Sequence, residues 1–226
     1  MYKYKAKSDW IMGIKERVKD SFLMDMLFWY RLRKQKKIWR KRNPHNTTKA
    51  KTLFNCDLVH VGNKTYGDLN IISFNNKTKL SIGSFCSLAQ DVHFLLDAEH
   101  PIHNISTFPF QVAILAEKEG EAFSKGDIVV DDDVWFGFGA VIMSGVHIGQ
   151  GAVIAARSVV TKDIPPYAIV AGVPAKVMKY RFPVEIINEL LKLDYSKLTE
   201  EMINVHSQEL YTKFTGVEQL NWFPKK

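Results

Sequence analysis

"VDDDVWFGFGAVIMSGVHIGQGAVIAARSVVTKDIP", residues 130–165, divides into six units of six residues. The first position reads Val130, Phe136, Ile142, Ile148, Ile154 and Val160, all apolar. The fifth reads Val134, Ala140, Val146, Ala152, Ser158 and Ile164, all small or branched. A helix would repeat every 3.6 residues and a plain strand every 2. Here the fifth position and the next first position lie two apart, so both point to one side of a short strand. The four-residue gap between them must turn a corner, and Gly137, Gly139, Gly145, Gly149 and Gly151 fall there. A short strand and a corner, repeated, predict a coil whose strands stack on their equivalents about 4.8 Å away. The expected fold is therefore mainly β, a repeat architecture of the β-helix type around an aliphatic column.

The same phase runs upstream through "IGSFCS", "LAQDVH" and "FLLDAE", with Ile82, Leu88 and Phe94 first and Cys86, Val92 and Ala98 fifth. Cys86 is thus expected as a small core residue rather than a nucleophile. The hexads stop at Glu99 and resume at Val130, which makes residues 100–129 an excursion from the coil. Its root, "AEHPIHNISTFPF" (98–110), carries two histidines, His100 and His103. Long loops leaving a rigid scaffold are a usual place for chemistry.

The chain has 226 residues, 46% hydrophobic and 24% charged, ordinary values for a soluble globular protein with one sizeable core. Two cysteines make no disulfide framework, and the N-terminus shows no cleavable signal pattern, so a cytoplasmic location is expected. The apolar run "FLMDMLFWY" (22–30) contains Asp25 and is too short to cross a bilayer. The formal charge of +7 is local: "RLRKQKKIWRKR" (31–42) holds eight Lys or Arg and no acid. That stripe fits a solvated helix face, or peripheral contact of residues 22–42 with anionic lipid headgroups. Nucleic acid is not expected as a partner, because no recognised binding motif accompanies the stripe.

"SIGSFCS", "EHPIHNISTFPF", "SKGDIVVDDDVWFGFGAVI" and "SVVTKDIPPYAIVAGVPAKVMKYRF" together resemble the hexapeptide-repeat acyltransferases, in the branch of the xenobiotic and polysaccharide O-acetyltransferases. The likeness covers about residues 58–195. It implies a left-handed parallel β-helix with three strands per coil, a homotrimer, acetyl-CoA as donor, and active sites between neighbouring subunits. The family's base is a histidine six positions before the serine of "STFPF", which is His100 here. His103, with Phe108 and Phe110, is expected on the acceptor side. Matched cofactor positions are Trp135, Phe138, Ala156, Thr161, Lys162, Lys176 and Lys179, of which Lys162 is the best candidate for the anionic cofactor. Two departures stand out: the acidic run Asp131-Asp132-Asp133 stands in place of the more usual Gly-Asn before the family's Asp-Val-Trp, and Phe138 can offer coenzyme A only its backbone.

Imidazoles ordinarily titrate near pH 6.5, so a positioned neutral histidine suits proton transfer from an acceptor hydroxyl to a departing thiolate. Backbone N–H groups would hold the oxyanion. Asp97 or Glu99 either orients the imidazole or is an exposed corner carboxylate. Two other classes compete. A zinc enzyme would use His93, His100 and His103 as ligands at about 2.1 Å, but His147 stands alone in the later coils, and no metal site is expected. A non-catalytic trimeric scaffold would have no reason to keep the cations of "VVTKD" and "VPAKV".

The expected organisation is an N-terminal helical, basic extension (1–57), the β-helix with its loop (58–180), and a C-terminal helical region (181–226). In the last, "PVEIINELLKLD" opens with Pro and "TEEMINVHSQELYTKF" follows as a second helix, together covering the coil's exposed end. The expected activity is acetyl transfer from acetyl-CoA to a hydroxyl of a sugar or glycan in surface-polysaccharide assembly, with inactivation of an antibiotic as the alternative.

Overall fold

A computed structural model describes residues 22–117, 120 and 122–226. Residues 1–21 of the expected extension lie outside that range.

The hexads form three parallel faces. The first stacks β2 (Val59–Val61), β4 (Leu80–Ile82), β7 (Ile128–Val130) and β10 (His147–Ile148). The second stacks β5 (Ser87–Leu88), β8 (Trp135–Phe136), β11 (Val153–Ile154) and β13 (Ala168–Ala171). The third stacks β6 (His93–Leu95), β9 (Val141–Ile142) and β12 (Val159–Val160). The seven-residue β3 (Tyr66–Ile72) pairs with β5 at one end and β6 at the other, so it bends through a corner that later coils turn more sharply. The architecture is the expected left-handed parallel β-helix, flanked by N- and C-terminal helices.

From β7 to β12 partners in successive coils are eighteen residues apart: Val129 with His147, Trp135 with Val153, Val141 with Val159; the first coils are longer, with Val59 opposite Leu80 and Asn70 opposite His93, and the last is shorter, with Ile148 opposite Ile164. Across the excursion they are forty-eight apart on all three faces: Ile82 with Val130, Leu88 with Phe136, Phe94 with Ile142. Thirty residues therefore leave the coil and return without shifting the register. Each first-position residue from Ile82 to Val160 is at most 3% exposed, and Cys86 is fully buried. Burial pushes the Cys86 thiol up to about 12, consistent with a packing role. Phe94 and Phe136 meet edge to face with centroids 5.7 Å apart.

Three details depart from the expected boundaries. Ala98 is only half-buried; the core position before the loop is taken by Leu96, because the chain leaves the coil one strand early. Strand β1 (Thr47–Ala50) pairs in parallel with β3, so the stack begins inside the segment assigned to the extension. The second C-terminal helix is broken at His206 into Glu200–Val205 and Ser207–Tyr211, where the imidazole leaves the helical path to stack on Trp222 at 4.3 Å.

The helix Val184–Leu190 buries Ile187 and Leu190 with Tyr167, Leu193 and Phe223 as a second small core. Gln150 donates to Tyr167 Oη (2.9 Å) and to the Leu190 carbonyl (2.8 Å), which fastens this cap to the coil.

Phe136→Ala should cost about 3–5 kcal/mol, the usual range for emptying a packed aromatic site. Urea unfolding measures it, and a loss under about 1 kcal/mol would mean the column is not the core.

Candidate active site

The corner that follows β6 is where the excursion departs, and two carboxylates, Asp97 and Glu99, tie it down. Asp97 is fully buried. Its carboxylate accepts from Ser73 Oγ (2.9 Å), from the Asn75 amide (3.1 Å) and from the Phe74 amide. It is thus neither an exposed corner carboxylate nor a partner of the imidazole; it holds the turn after β3 against the loop root. Glu99 exchanges backbone hydrogen bonds with Phe123, N–H to carbonyl at 3.3 and 2.7 Å, which zips the two ends of the loop together. Its carboxylate accepts from Ser144 Oγ (3.1 Å) and pairs with Lys125 Nζ (2.7 Å). Glu99 therefore does not touch the His100 ring either.

His100 follows directly and is exposed. It lines a pocket of about 330 Å³ with Phe74, Ala98, Glu99, Pro109 and Val112. Among the described residues neither ring nitrogen has a hydrogen-bond partner. His103 lines a different, larger pocket of about 820 Å³ with Ile105, Ser106, Phe108, Phe110 and Gln111. Phe108 and Phe110 meet edge to face at 4.9 Å, and the short helix Phe110–Ala113 follows Pro109. The two pockets adjoin, with Gly120 lining both, so His100 and His103 open onto neighbouring parts of the loop surface. His93 is engaged by Asp91 at 2.8 Å and His147 by Asp131 at 3.0 Å. Among the described residues no three His, Cys, Asp or Glu side chains gather as a metal site.

The expected cofactor positions fall on two edges and one face of the prism. Val160 pairs with Ile142, so the register sets Lys162 one rung above Ser144, on the edge that carries the loop root. Thr161 and Lys162 are exposed there. Phe138 and Ala156 occupy the next edge, stacked rung on rung: the Arg157 amide donates to the Phe138 carbonyl at 2.8 Å. A Cβ built on Gly137 would lie 2.5 Å from the Ala156 nitrogen, so only glycine permits this spacing. The Arg157 guanidinium lies 4.6 Å from the Phe138 ring centroid and reaches Asp91 at 3.5 Å, a cation at this edge that the motif comparison did not single out. Trp135 is 55% exposed on the second face. Lys176 and Lys179 lie on β14 (Lys176–Tyr180), which folds back antiparallel to β13 at that face's end.

The acidic run is absorbed structurally. Asp131 takes His147, Asp132 accepts from the Ser84 amide at 2.6 Å, and Asp133 pairs with Arg181 at 3.0 Å. Burial raises the Asp132 and Asp133 carboxyls above their ordinary range, with Arg181 opposing the shift at Asp133.

The family profile described as bacterial transferase hexapeptide (six repeats) matches residues 127–162. A probable macrolide acetyltransferase of Lysinibacillus sphaericus is 42% identical over 149 residues, 63% of this chain and 82% of that protein. A chloramphenicol acetyltransferase of Klebsiella aerogenes is 44% identical over 131 residues, 55% of this chain and 62% of its own length, so the match spans about three fifths of that relative. The crystal structure of a hexapeptide-repeat acetyltransferase from Vibrio cholerae superposes with a TM-score of 0.51 at 23% identity, over 79% of this chain and 93% of that one, which is a likeness of fold. Six-residue units stacked in register, an imidazole at the root of their one long excursion among the described residues, and the extent of the macrolide acetyltransferase match lead to one assignment: the chain belongs to the hexapeptide-repeat acetyltransferases.

Proposed function

We propose that the chain transfers acetyl from acetyl-CoA to a hydroxyl of a small acceptor, with His100 as general base. The observation that carries this is the state of His100: exposed, on a rigidly tied loop root, facing a pocket, with both ring nitrogens uncommitted among the described residues. The ring takes the acceptor's proton as its oxygen attacks the thioester carbonyl, and returns a proton to the departing thiolate. Backbone N–H groups are the candidate oxyanion donors.

The donor would lie in a groove between two protomers of a homotrimer. Thr161 and Lys162 lie on one edge and Phe138 and Ala156 on the next, with Lys176 beyond them on β14. Edges from neighbouring copies bring such sets face to face. The exposed Ile102, Ile105 and Ile114 of the loop suit contact with such a neighbour.

For the acceptor, a small hydroxylated antibiotic is better supported than a surface glycan. The two relatives described above are named for a macrolide and for chloramphenicol. The apolar wall of Phe108 and Phe110 in the larger pocket is chemically apt for such a molecule.

His100→Ala should lower kcat by about 10²–10⁴-fold with acetyl-CoA affinity by calorimetry unchanged; retained turnover, with the loss appearing in His103→Ala instead, would move the base to His103. Glu99 is a positioning residue in this reading. Glu99→Ala should lower kcat by about tenfold at constant KM for acetyl-CoA, with partial rescue in Glu99→Gln, whose amide oxygen still accepts from Ser144. Thiol release from acetyl-CoA with chloramphenicol, a macrolide and simple sugars as acceptors tests the last step: the antibiotics should be turned over faster, and faster turnover of the sugars would restore the glycan assignment.

A further inference from the structure

The helix Phe22–Arg42 is divided along its axis, not around it. Its first nine residues, Phe22 to Tyr30, are apolar except Asp25, and none of their side chains is buried. Phe22 is 78%, Trp29 64% and Tyr30 66% exposed. Its last twelve residues hold eight Lys or Arg and no acid. The side chains that bind this helix to the body all belong to that second part. Leu32 and Trp39 are buried, Gln35 donates to the Thr52 carbonyl at 3.1 Å, and Trp39 Nε1 donates to Thr48 Oγ1 at 3.0 Å.

Arg40 is spent on backbone carbonyls of Asn46 and Thr48, and Arg42 on Asp57. Arg31, Arg33, Lys34, Lys36, Lys37 and Lys41 have no ion-pair partner among the described residues. Beneath the helix lies a pocket of about 470 Å³ whose cations are Lys36, Arg40, Lys49 and Lys51, with Trp39 at its wall. Only Lys51 of these four forms an ion pair among the described residues, with Asp68 at 3.1 Å.

We propose that this helix docks the protein on an anionic lipid bilayer. Nine helical residues extend about 14 Å, close to half of a hydrocarbon core of about 30 Å. The apolar run is therefore too short to cross the bilayer, and because charged residues also precede it in the sequence (Lys15-Glu16-Arg17-Val18-Lys19-Asp20), it suits the boundary between headgroups and acyl chains. No described helix is long and apolar enough to span. The cationic turns that follow then sit at headgroup depth, where negative surface potential attracts Lys and Arg. Lys49 of the pocket lining adds a further cation without an ion-pair partner among the described residues. Charge complementarity selects this occupant: a second copy of the chain would bring the same uncompensated cations together, and a nucleic acid would leave the apolar end in water.

The test is cosedimentation of the full chain with phosphatidylcholine vesicles, with and without phosphatidylserine. Binding should be at least about tenfold tighter with phosphatidylserine and weaken as salt is raised. It should fall at least about tenfold in Phe28→Ser/Trp29→Ser and in Arg33→Gln/Lys34→Gln/Lys36→Gln/Lys37→Gln, with the thermal midpoint unchanged. These side chains are exposed or carry no tertiary hydrogen bond, so the fold should survive. Equal binding to both vesicles, no binding to either, or wild-type binding by both variants overturns the proposal. So does duplex RNA that strips the protein from vesicles, or a drop in oligomeric mass in lipid-free buffer when Phe28 and Trp29 are replaced.

Discussion

The structure depends on one constraint: each coil's strands must hydrogen-bond to the equivalent strands of the next, while their inward side chains stack on the same column. Both conditions hold at eighteen residues per turn through the hexads, and a turn of another length, such as the 21 residues from Val59 to Leu80, must take up the difference at its corners so that the strands still meet in register. This is why the corners are filled by glycine and by residues with positive φ, such as Phe85, Asp133 and Arg157, rather than by chance. It also explains how thirty extra residues are tolerated. The cost of closing a longer loop grows only logarithmically, whereas a register slip would break every hydrogen bond above it.

The excursion does not dangle from that scaffold. Its two ends are joined by the Glu99–Phe123 backbone pair and the Glu99–Lys125 ion pair, locked to the next coil by Ser144, and to the previous one by Asp97. Asp97 is the more telling of the two carboxylates. A fully buried acid needs several donors to offset lost hydration, and the turn at residues 73–75 supplies a hydroxyl and two amides. Rigidity at residues 97–99 is what lets the side chain at residue 100 sit on a loop and still be well placed.

The acidic triplet at residues 131–133 follows the same logic. The three consecutive carboxylates are each matched by a donor from a different element: His147, the Ser84 amide and Arg181. Arg181 in turn lies over the Tyr167 and Phe182 rings at 5.3 and 5.4 Å, so the triplet helps fasten the C-terminal cap to the coil.

The period-six column, the place where it is interrupted, and the identity of His100 as the residue at that interruption were all legible in the chain itself. Each depends on spacing along the backbone, and a coil converts spacing directly into height and face. Left to tertiary structure were the partners of Asp97 and Glu99, the adjoining pockets onto which His100 and His103 open, the bend of β3, and the distribution of the cofactor candidates over different edges. These depend on which side chain approaches from another coil or from across a loop closure. A buried carboxylate and an exposed one look identical in sequence until the third dimension supplies, or withholds, the donors that make burial tolerable.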